Sequence, residues 1–490
     1  MGDVSPTAEN APPPVFEYTA QAVSPLVNGE VKLKIGDNGL TAAALFDAVE
    51  IPFADMCGLS LVDYVVTIKT DGGDYVFSRM GSWCQPFHDA LYDAYNRAVL
   101  RSLFIKDDPL LFAKGDYQYT EGGAVSGGAA PVHVYDSGVV TLPPDLNARR
   151  VPLCFVTGLE KGEFSLTLTL DTGERYTYAK LGYETAPFAD KVEQHIRALR
   201  EATLAAVNEL DPLIPAAQAN HIVKLMPRGA AASFGQIAAV APAFPAALEA
   251  KLADTRAAES YAAFKTLCDP MKIRVGFKKN EVQKKDDPNG ASNGPNDPQN
   301  SGQSAAAPAA SVTGGAPVIM DGKPPAVTDG ASDTAPPPDP WLLWLIAPSP
   351  DGRFAAVEFA EADTATFVYD TDDDFDGFAQ QMNRALEAID FKREVIRLTD
   401  EELLKPENAD YRMAAKRNAA LRFIRSHFVG RVIHTGADVW KSKLTALWRG
   451  GAPGEAAAAN TPQSTAKFCG QCGGPLAAGA QFCGVCGAKR

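Results

Sequence analysis

Residues 66–103 read VTIKTDGGDYVFSRMGSWCQPFHDALYDAYNRAVLRSL, and residues 167–204 read TLTLDTGERYTYAKLGYETAPFADKVEQHIRALREATL. The two stretches align without a gap: Tyr75 matches Tyr176, Phe77 matches Tyr178, Met80-Gly81 matches Leu181-Gly182, and Pro86-Phe87 matches Pro187-Phe188. A repeat of this length is one supersecondary unit used twice. Alternating apolar residues (Tyr64, Val66, Ile68, then Phe164, Leu166, Leu168) predict a half-buried strand, because successive strand side chains point to opposite faces. Gly72-Gly73 or Gly173 marks a hairpin turn, and a second strand runs on to Gly81 or Gly182. Pro86 or Pro187 then opens a helix, where its missing N–H costs little. The stripes Phe87, Leu91, Ala94, Ala98 and Phe188, Val192, His195, Leu199 have the three-and-four spacing of a helix buried on one face.

Further strand-like runs lie upstream of each copy, at 30–34, 44–51, 132–135, 139–141 and 152–155. A third, more degenerate copy is predicted downstream. Its strands fall at 355–359 and 366–369, and its helix stripe is Phe378, Met382, Ala385, Leu386 and Ile389. The apolar run 341–347 is another strand, and 273–277 pairs with it if the polar stretch between them is an insertion. Several short antiparallel strands closed by one packing helix resemble the pleckstrin-homology-like (PH-like) barrel, over roughly 25–105, 130–205 and, more weakly, 341–395. That resemblance implies an α+β protein of tandem small antiparallel barrel or sheet modules, each capped by a helix.

Composition divides the chain further. Residues 1–15 read as a disordered tail, 16–110 as the first PH-like module, 130–205 as the second, and 206–270 as a helical segment broken by prolines. Residues 278–340 are dense in Asn, Asp, Pro, Gly, Ser and Ala and cannot bury enough apolar surface to offset ordering, so they read as a disordered linker. Residues 341–448 form the third α+β module, with helices predicted over 398–448 and a capping box at Thr399-Asp400-Glu401-Glu402. A second linker, 450–465, leads to a compact tail at 466–490.

That tail carries the strongest chemical signal. Cys469 and Cys472 form one CxxC pair and Cys483 and Cys486 another, ten residues apart. Four thiolates satisfy tetrahedral zinc. Gly470, Gly473, Gly484 and Gly487 let the backbone turn tightly around the sulfurs. The pattern resembles the zinc-ribbon tails of many bacterial proteins, and implies one structural zinc ion with no open coordination position. The remaining cysteines, Cys57, Cys84, Cys154 and Cys268, stand singly among apolar neighbours and read as small buried hydrophobes.

Net charge is −14 and pI is near 5.0, which argues against broad binding to nucleic acid or anionic membranes. No secretory signal is visible, and the 341–347 run is too short to span a bilayer, so a cytoplasmic protein is expected. One basic stretch runs against the overall charge: Arg412, Lys416, Arg417, Arg422, Arg425, Arg431, Lys441, Lys443 and Arg449. Either it forms a surface for phosphates or acidic partners, or it pairs with the acidic run 358–376. Within that run, Asp372-Asp373-Asp374-Phe375-Asp376-Gly377 has the spacing of half a calcium loop, but position twelve is Asn383 where a bidentate Glu is needed. It reads as an acidic loop complementing a helix N-terminus.

His88, His133, His195, His221, His427 and His434 do not assemble a site by spacing, and no nucleophile elbow, P-loop or HExxH motif occurs. The expected function is therefore non-catalytic: a zinc-containing scaffold acting on a protein partner. The alternatives are membrane head-group or nucleic-acid association through 412–449, and an enzyme with a site between modules.

Overall fold

The computed structural model describes residues 17–121, 123–279, 341–360 and 365–450, with the backbone of Lys467–Phe468 and Pro475–Leu476. The chain divides into residues 279–341 and the remainder, and the fold below is that of the remainder.

The first module is an antiparallel sheet of β1 (Glu17–Val23), β2 (Asn28–Ile35), β3 (Gly39–Ala43), β4 (Ala48–Pro52), β5 (Met56–Val62), β6 (Val65–Thr70) and β7 (Gly73–Ser78). Its order is β4-β3-β2-β1-β7-β6-β5, two meanders joined through β1 and β7. Helix α1 (Cys84–Ser102) follows a 3-10 turn and lays Phe87, Leu91, Ala94 and Ala98 on Leu33, Ile68 and Phe77. Pro86 sits inside the first helical turn, where backbone N–H groups have no intrahelical acceptor.

The second module repeats this plan. Strands β8 (Leu111–Glu121), β9 (Ala124–Val134), β10 (Gly138–Thr141), β11 (Arg149–Pro152), β12 (Val156–Lys161), β13 (Ser165–Leu170) and β14 (Arg175–Ala179) run in the order β11-β10-β9-β8-β14-β13-β12. Helix α2 (Thr185–Leu210) covers them with Phe188, Val192 and Ile196. His195, expected in the buried stripe, instead reaches Asp136 at 3.3 Å. The sheet begins at Leu111, so β8 and most of β9 lie ahead of the strands legible in the sequence.

Register corrects the gapless alignment. Val66 pairs with Phe77, whereas Leu166 pairs with Tyr178, so the second hairpin turn is one residue longer. A one-residue slip would turn every strand side chain to the other face, so the extra residue is confined to the turn. Val66, Ile68, Leu166 and Leu168 are fully buried as expected. Tyr64 and Phe164 are exposed, because they precede the strands; Tyr64 lies in a turn with φ 61°. Two predicted strands also change. Residues 44–51 contain the turn between β3 and β4, and 153–155 form a 3-10 turn after β11.

Helices α3 (Ala216–Leu225), α4 (Phe234–Val240), α5 (Phe244–Ala253) and α6 (Ala258–Leu267) lead to the third sheet, with β15 (Ala232–Ser233) before α4. Strands β16 (Arg274–Lys279), β17 (Trp341–Pro348), β18 (Phe354–Phe359) and β19 (Ala365–Asp370) continue it. Helices α7 (Phe375–Ala388), α8 (Glu394–Arg397), α9 (Asp400–Leu403), α10 (Ala409–Arg417) and α11 (Ala419–Ser426) precede β20 (Phe428–Ile433), and α12 (Ala437–Trp448) closes the module. The order β15-β16-β17-β18-β19-β20 places β16 beside β17, so residues 280–340 interrupt two neighbouring strands. Strands β17 and β18 are buried at every position, which explains the unbroken apolar run of β17 and the single interruption of β18 at Glu358. The strand–strand–helix ending survives in β18, β19 and α7, but the six-stranded order is not that of the repeats. Residues 428–433, expected to be helical, form β20 with Phe428, Gly430 and Val432 turned inward. The Thr399 capping box forms as expected, and the Thr399 N–H holds the Glu402 carboxyl below its usual range.

The overall class is mixed α+β: antiparallel sheets in tandem, with packed helices.

Candidate interaction surfaces

The third module docks on both repeats, and it uses equivalent faces of them. On the first repeat the face is the 3-10 turn Phe53–Asp55 and the turn after β6. Helix α10 lies there. Arg417 is fully buried, and its guanidinium donates to the Tyr95 hydroxyl and to the Met56 carbonyl at 3.4 Å. Lys416 donates to the Ala54 carbonyl at 2.8 Å and pairs with Asp71; Arg412 pairs with Asp55 at 2.9 Å. Met413 joins the first module's core.

On the second repeat the face is the 3-10 turn Leu153–Phe155 and the turn after β13, and α7 lies there. Arg384 reaches Asp171 at 3.2 Å, pairs with Glu174 and stacks over Phe155 at 5.1 Å. Glu387 accepts from Arg150 at 3.4 Å and meets Arg228 at 3.6 Å. Asp71 and Asp171 are counterparts: each donates its N–H to the 3-10 turn, to Asp55 O at 3.3 Å and Phe155 O at 3.1 Å. Sequence reasoning missed Arg384 and Glu387. Their only signal is a pair of charges one turn apart among the apolar stripe of α7.

The repeats also meet each other. The loop between β10 and β11 crosses the free edge of β5: Leu59 donates to the Pro144 carbonyl at 2.8 Å, and Gly58 bridges Asp145. The Tyr92 hydroxyl on α1 donates to the Leu142 carbonyl, and Leu142 and Ala148 enter the first module's core.

This arrangement accounts for most of the basic stretch. Besides Arg412, Lys416 and Arg417, Arg425 donates to the carbonyls of Val395 and Leu398 at 2.6 and 2.8 Å and pairs with Asp400 at 3.1 Å. Arg422 donates to Lys416 O at 2.6 Å, and Lys441 to Thr266 at 2.8 Å. The expected pairing with 358–376 is therefore corrected for these cations: the carboxylates facing them are Asp55, Asp71 and Asp400. The acidic run meets His434 through Glu358 at 3.3 Å and His427 through Asp372 at 3.0 Å.

The calcium-like loop behaves as a capping loop. Asp374 accepts from Gly377 N at 2.9 Å at the start of α7, and Asp376 pairs with Arg274 at 2.5 Å. These aspartates line an acidic cleft of about 480 Å³ with Asp269 and Asp351. Asn383, the would-be twelfth position, is held by both backbone groups of Ala231, at 2.8 and 3.1 Å.

One cluster resembles catalytic machinery in its composition. Thr366, His434 and Glu358 meet beside Trp440, but Thr366 at 3.0 Å and Glu358 at 3.3 Å both approach His434 Nε2. A relay needs the nucleophile and the carboxylate on different ring nitrogens. Thr366 is also fully buried, so this is a packed polar network. The hydrogen bond between His434 and Glu358 holds the His434 pKa above the usual value. His133, beside Phe112 and the Tyr135 hydroxyl, is pushed down to about 4 by burial. Burial and the Asp71 carboxylate push the Cys57 thiol up to about 11, and burial pushes Cys268 up to about 12 and raises Cys84 and Cys154. Such thiols stay protonated at neutral pH, but of the four only Cys84 is buried as expected, and Cys57, Cys154 and Cys268 are half-buried.

The zinc candidates Cys469, Cys472, Cys483 and Cys486 lie outside the described residues. Among the described residues no cluster of metal-ligating side chains occurs, and no helix is long and apolar enough to cross a membrane.

No family model matches the chain, and no curated protein does. Among solved structures, that of the Spt16D Pob3N heterodimer matches 32% of this chain and 84% of its own at 9% identity, with a TM-score of 0.14. A score that low carries no argument about fold or function.

Proposed function

We propose that this chain is a non-catalytic scaffold that binds protein partners. In this reading two PH-like modules stand in tandem and clamp a third α+β module, and a zinc ribbon follows on a second tether. The protein works in the cytoplasm.

The observation that carries the scaffold reading is the double docking of the third module. Its most prominent cations, Arg384, Arg412, Lys416 and Arg417, are engaged within the chain. That leaves little of the basic stretch for head groups or nucleic acid, the alternative use of 412–449. Two meanders joined through their first and last strands, with a helix after the last, support the PH-like assignment of the repeats. The third reading, an enzyme working between modules, needs a nucleophile, a base and an oxyanion donor in one cleft. The Thr366–His434–Glu358 cluster does not have that geometry.

The zinc ribbon is supported by the short hairpin of β21 (Lys467–Phe468) and β22 (Pro475–Leu476), whose paired strands bracket the first CxxC pair. Four thiolates would hold one structural ion and supply the folding energy of the tail.

The test is an affinity capture with the full chain and with a chain ending at residue 465, read by quantitative mass spectrometry beside metal analysis. The scaffold reading expects a defined partner set near stoichiometric amount, and one zinc per full chain that is lost with the tail. Recovery of no partner, together with turnover of a small molecule by the purified chain, would contradict it.

A further inference from the structure

The two repeats are joined by a loop and an edge, and each repeat carries a copy of both. The loop of the second repeat (142–148) occupies the β5 edge of the first, where Leu59 is only 4% exposed. The counterpart loop of the first repeat joins β3 to β4 and reads Ala44-Leu45-Phe46-Asp47. Counted from the paired strands, Leu45 and Phe46 match Pro144 and Asp145, in a tighter turn closed by Ala44 N–H on the Asp47 carbonyl at 2.7 Å, and they are 85% and 96% exposed. The counterpart edge of the second repeat is β12. Among the described residues it pairs with β13 alone, and Leu159, the equivalent of Leu59, is half-exposed.

Among the described residues the chain thus holds one exposed apolar loop and one edge paired on one side only, the counterparts of the two parts that join its repeats. We propose that the Leu45-Phe46 loop of one copy docks on the β12 edge of a second copy, so that the protein self-associates head to tail. Such an interface is heterologous: each copy uses two different surfaces, and association continues until a ring closes. An open sheet edge and a loop that supplies carbonyl acceptors and apolar side chains are the required parts.

The free edge is guarded. Where the filled edge carries Leu61 and Tyr92, the free one carries Lys161 and Glu193, and Lys161 pairs with Glu193 at 2.7 Å and Asp190 at 3.2 Å. Charged residues of this kind blunt edge pairing. The association is therefore weaker than the internal junction and appears only as the protein is concentrated.

Sedimentation velocity of the full chain, from micromolar to submillimolar concentration, tests this. The wild type is expected to sediment faster as concentration rises. Phe46→Asp, which spoils the loop, and Leu159→Asp, which spoils the edge, are each expected to stay monomeric. An equimolar mixture of the two is expected to form a one-to-one pair that grows no further, because each retains one intact surface. The double variant Lys161→Leu/Glu193→Tyr, which copies the filled edge, is expected to associate at lower concentration. Should Leu159→Asp change the far-UV dichroism, Phe46→Asp and the double variant decide the question alone. A wild type monomeric throughout, a Phe46→Asp variant that associates like wild type, or a mixture of folded variants that stays monomeric would overturn the proposal.

Discussion

The first and second repeats share a strand order, a register and a capping helix, and differ in what crosses their edges. In the first, β5 is covered by its neighbour's loop, with Leu61 and Tyr92 lining the contact. In the second, the same places hold Lys161 and Glu193, and among the described residues β12 pairs with β13 alone. The docking faces differ in a similar way. Helix α10 sets the buried Arg417 against a phenol and carbonyl groups. Helix α7 sets Arg384 between two carboxylates. A duplicated core thus keeps its apolar positions, while the rims diverge to give each copy a distinct neighbour.

Equality of the cores is the part of the comparison with the most free energy in it. Phe87 and Phe188, at matching places in α1 and α2, are both fully buried. Replacing either with Ala is expected to destabilise its module by about 3–5 kcal/mol in denaturant titration. A large inequality would break the equivalence of the repeats.

The docking faces should separate next. Arg384→Met strands Asp171 and Glu174 without their cation, and is expected to cost about 3 kcal/mol. Arg417→Met leaves a hydroxyl and a carbonyl unpaired in an otherwise apolar site, and is expected to cost about 2 kcal/mol. Chemical unfolding of the two variants side by side checks the order, and a larger loss at Arg417 would reverse it.

Acid should single out the second repeat. The folded pKa of His133, about 4, lies below its unfolded value of 6.5. Its contribution is therefore present above pH 6.5 and is lost as pH falls toward 4, by on the order of 2 kcal/mol. His434 has the opposite sign: its pKa is raised, so its contribution is present below pH 6.5 and is lost as pH rises through the raised value. A His133→Phe variant should flatten the acid limb of the stability profile and leave the alkaline limb in place.

The smallest effect is expected at the rim of the α10 face. There Arg412→Ala, which breaks the pair with Asp55, should cost about 0.5–1 kcal/mol. A loss comparable with that of Arg384→Met would make this rim a principal clamp.

Much of the interior was legible in the sequence. Strand alternation and helix stripes are local patterns, so the hairpins, α1, α2 and α7 follow from spacing, while the adjacency of β16 and β17 follows only if the polar stretch between two apolar runs is an insertion. The longer turn before β14 is hidden, because Gly173 matches Gly72 without an inserted residue and Gly73 with one. His195 entered the predicted stripe on spacing alone, although its ring reaches out to Asp136. The β20 strand was hidden among helices because its alternation spans only Phe428, Gly430 and Val432. The docking faces were invisible for a different reason. Arg384 with Asp171, and Arg417 with Tyr95, are pairs set by how modules meet, and no periodicity in either partner announces the other.

The double clamp is tested most directly by cutting the full chain at a protease site introduced within residues 280–340 and passing the product over a sizing column. The two halves are expected to elute together, held by β16 against β17 and by both docking faces, and to separate at lower denaturant when Arg384 and Arg417 are both replaced by Glu. Halves that part as soon as the chain is cut, or that hold equally well with both arginines reversed, would contradict it.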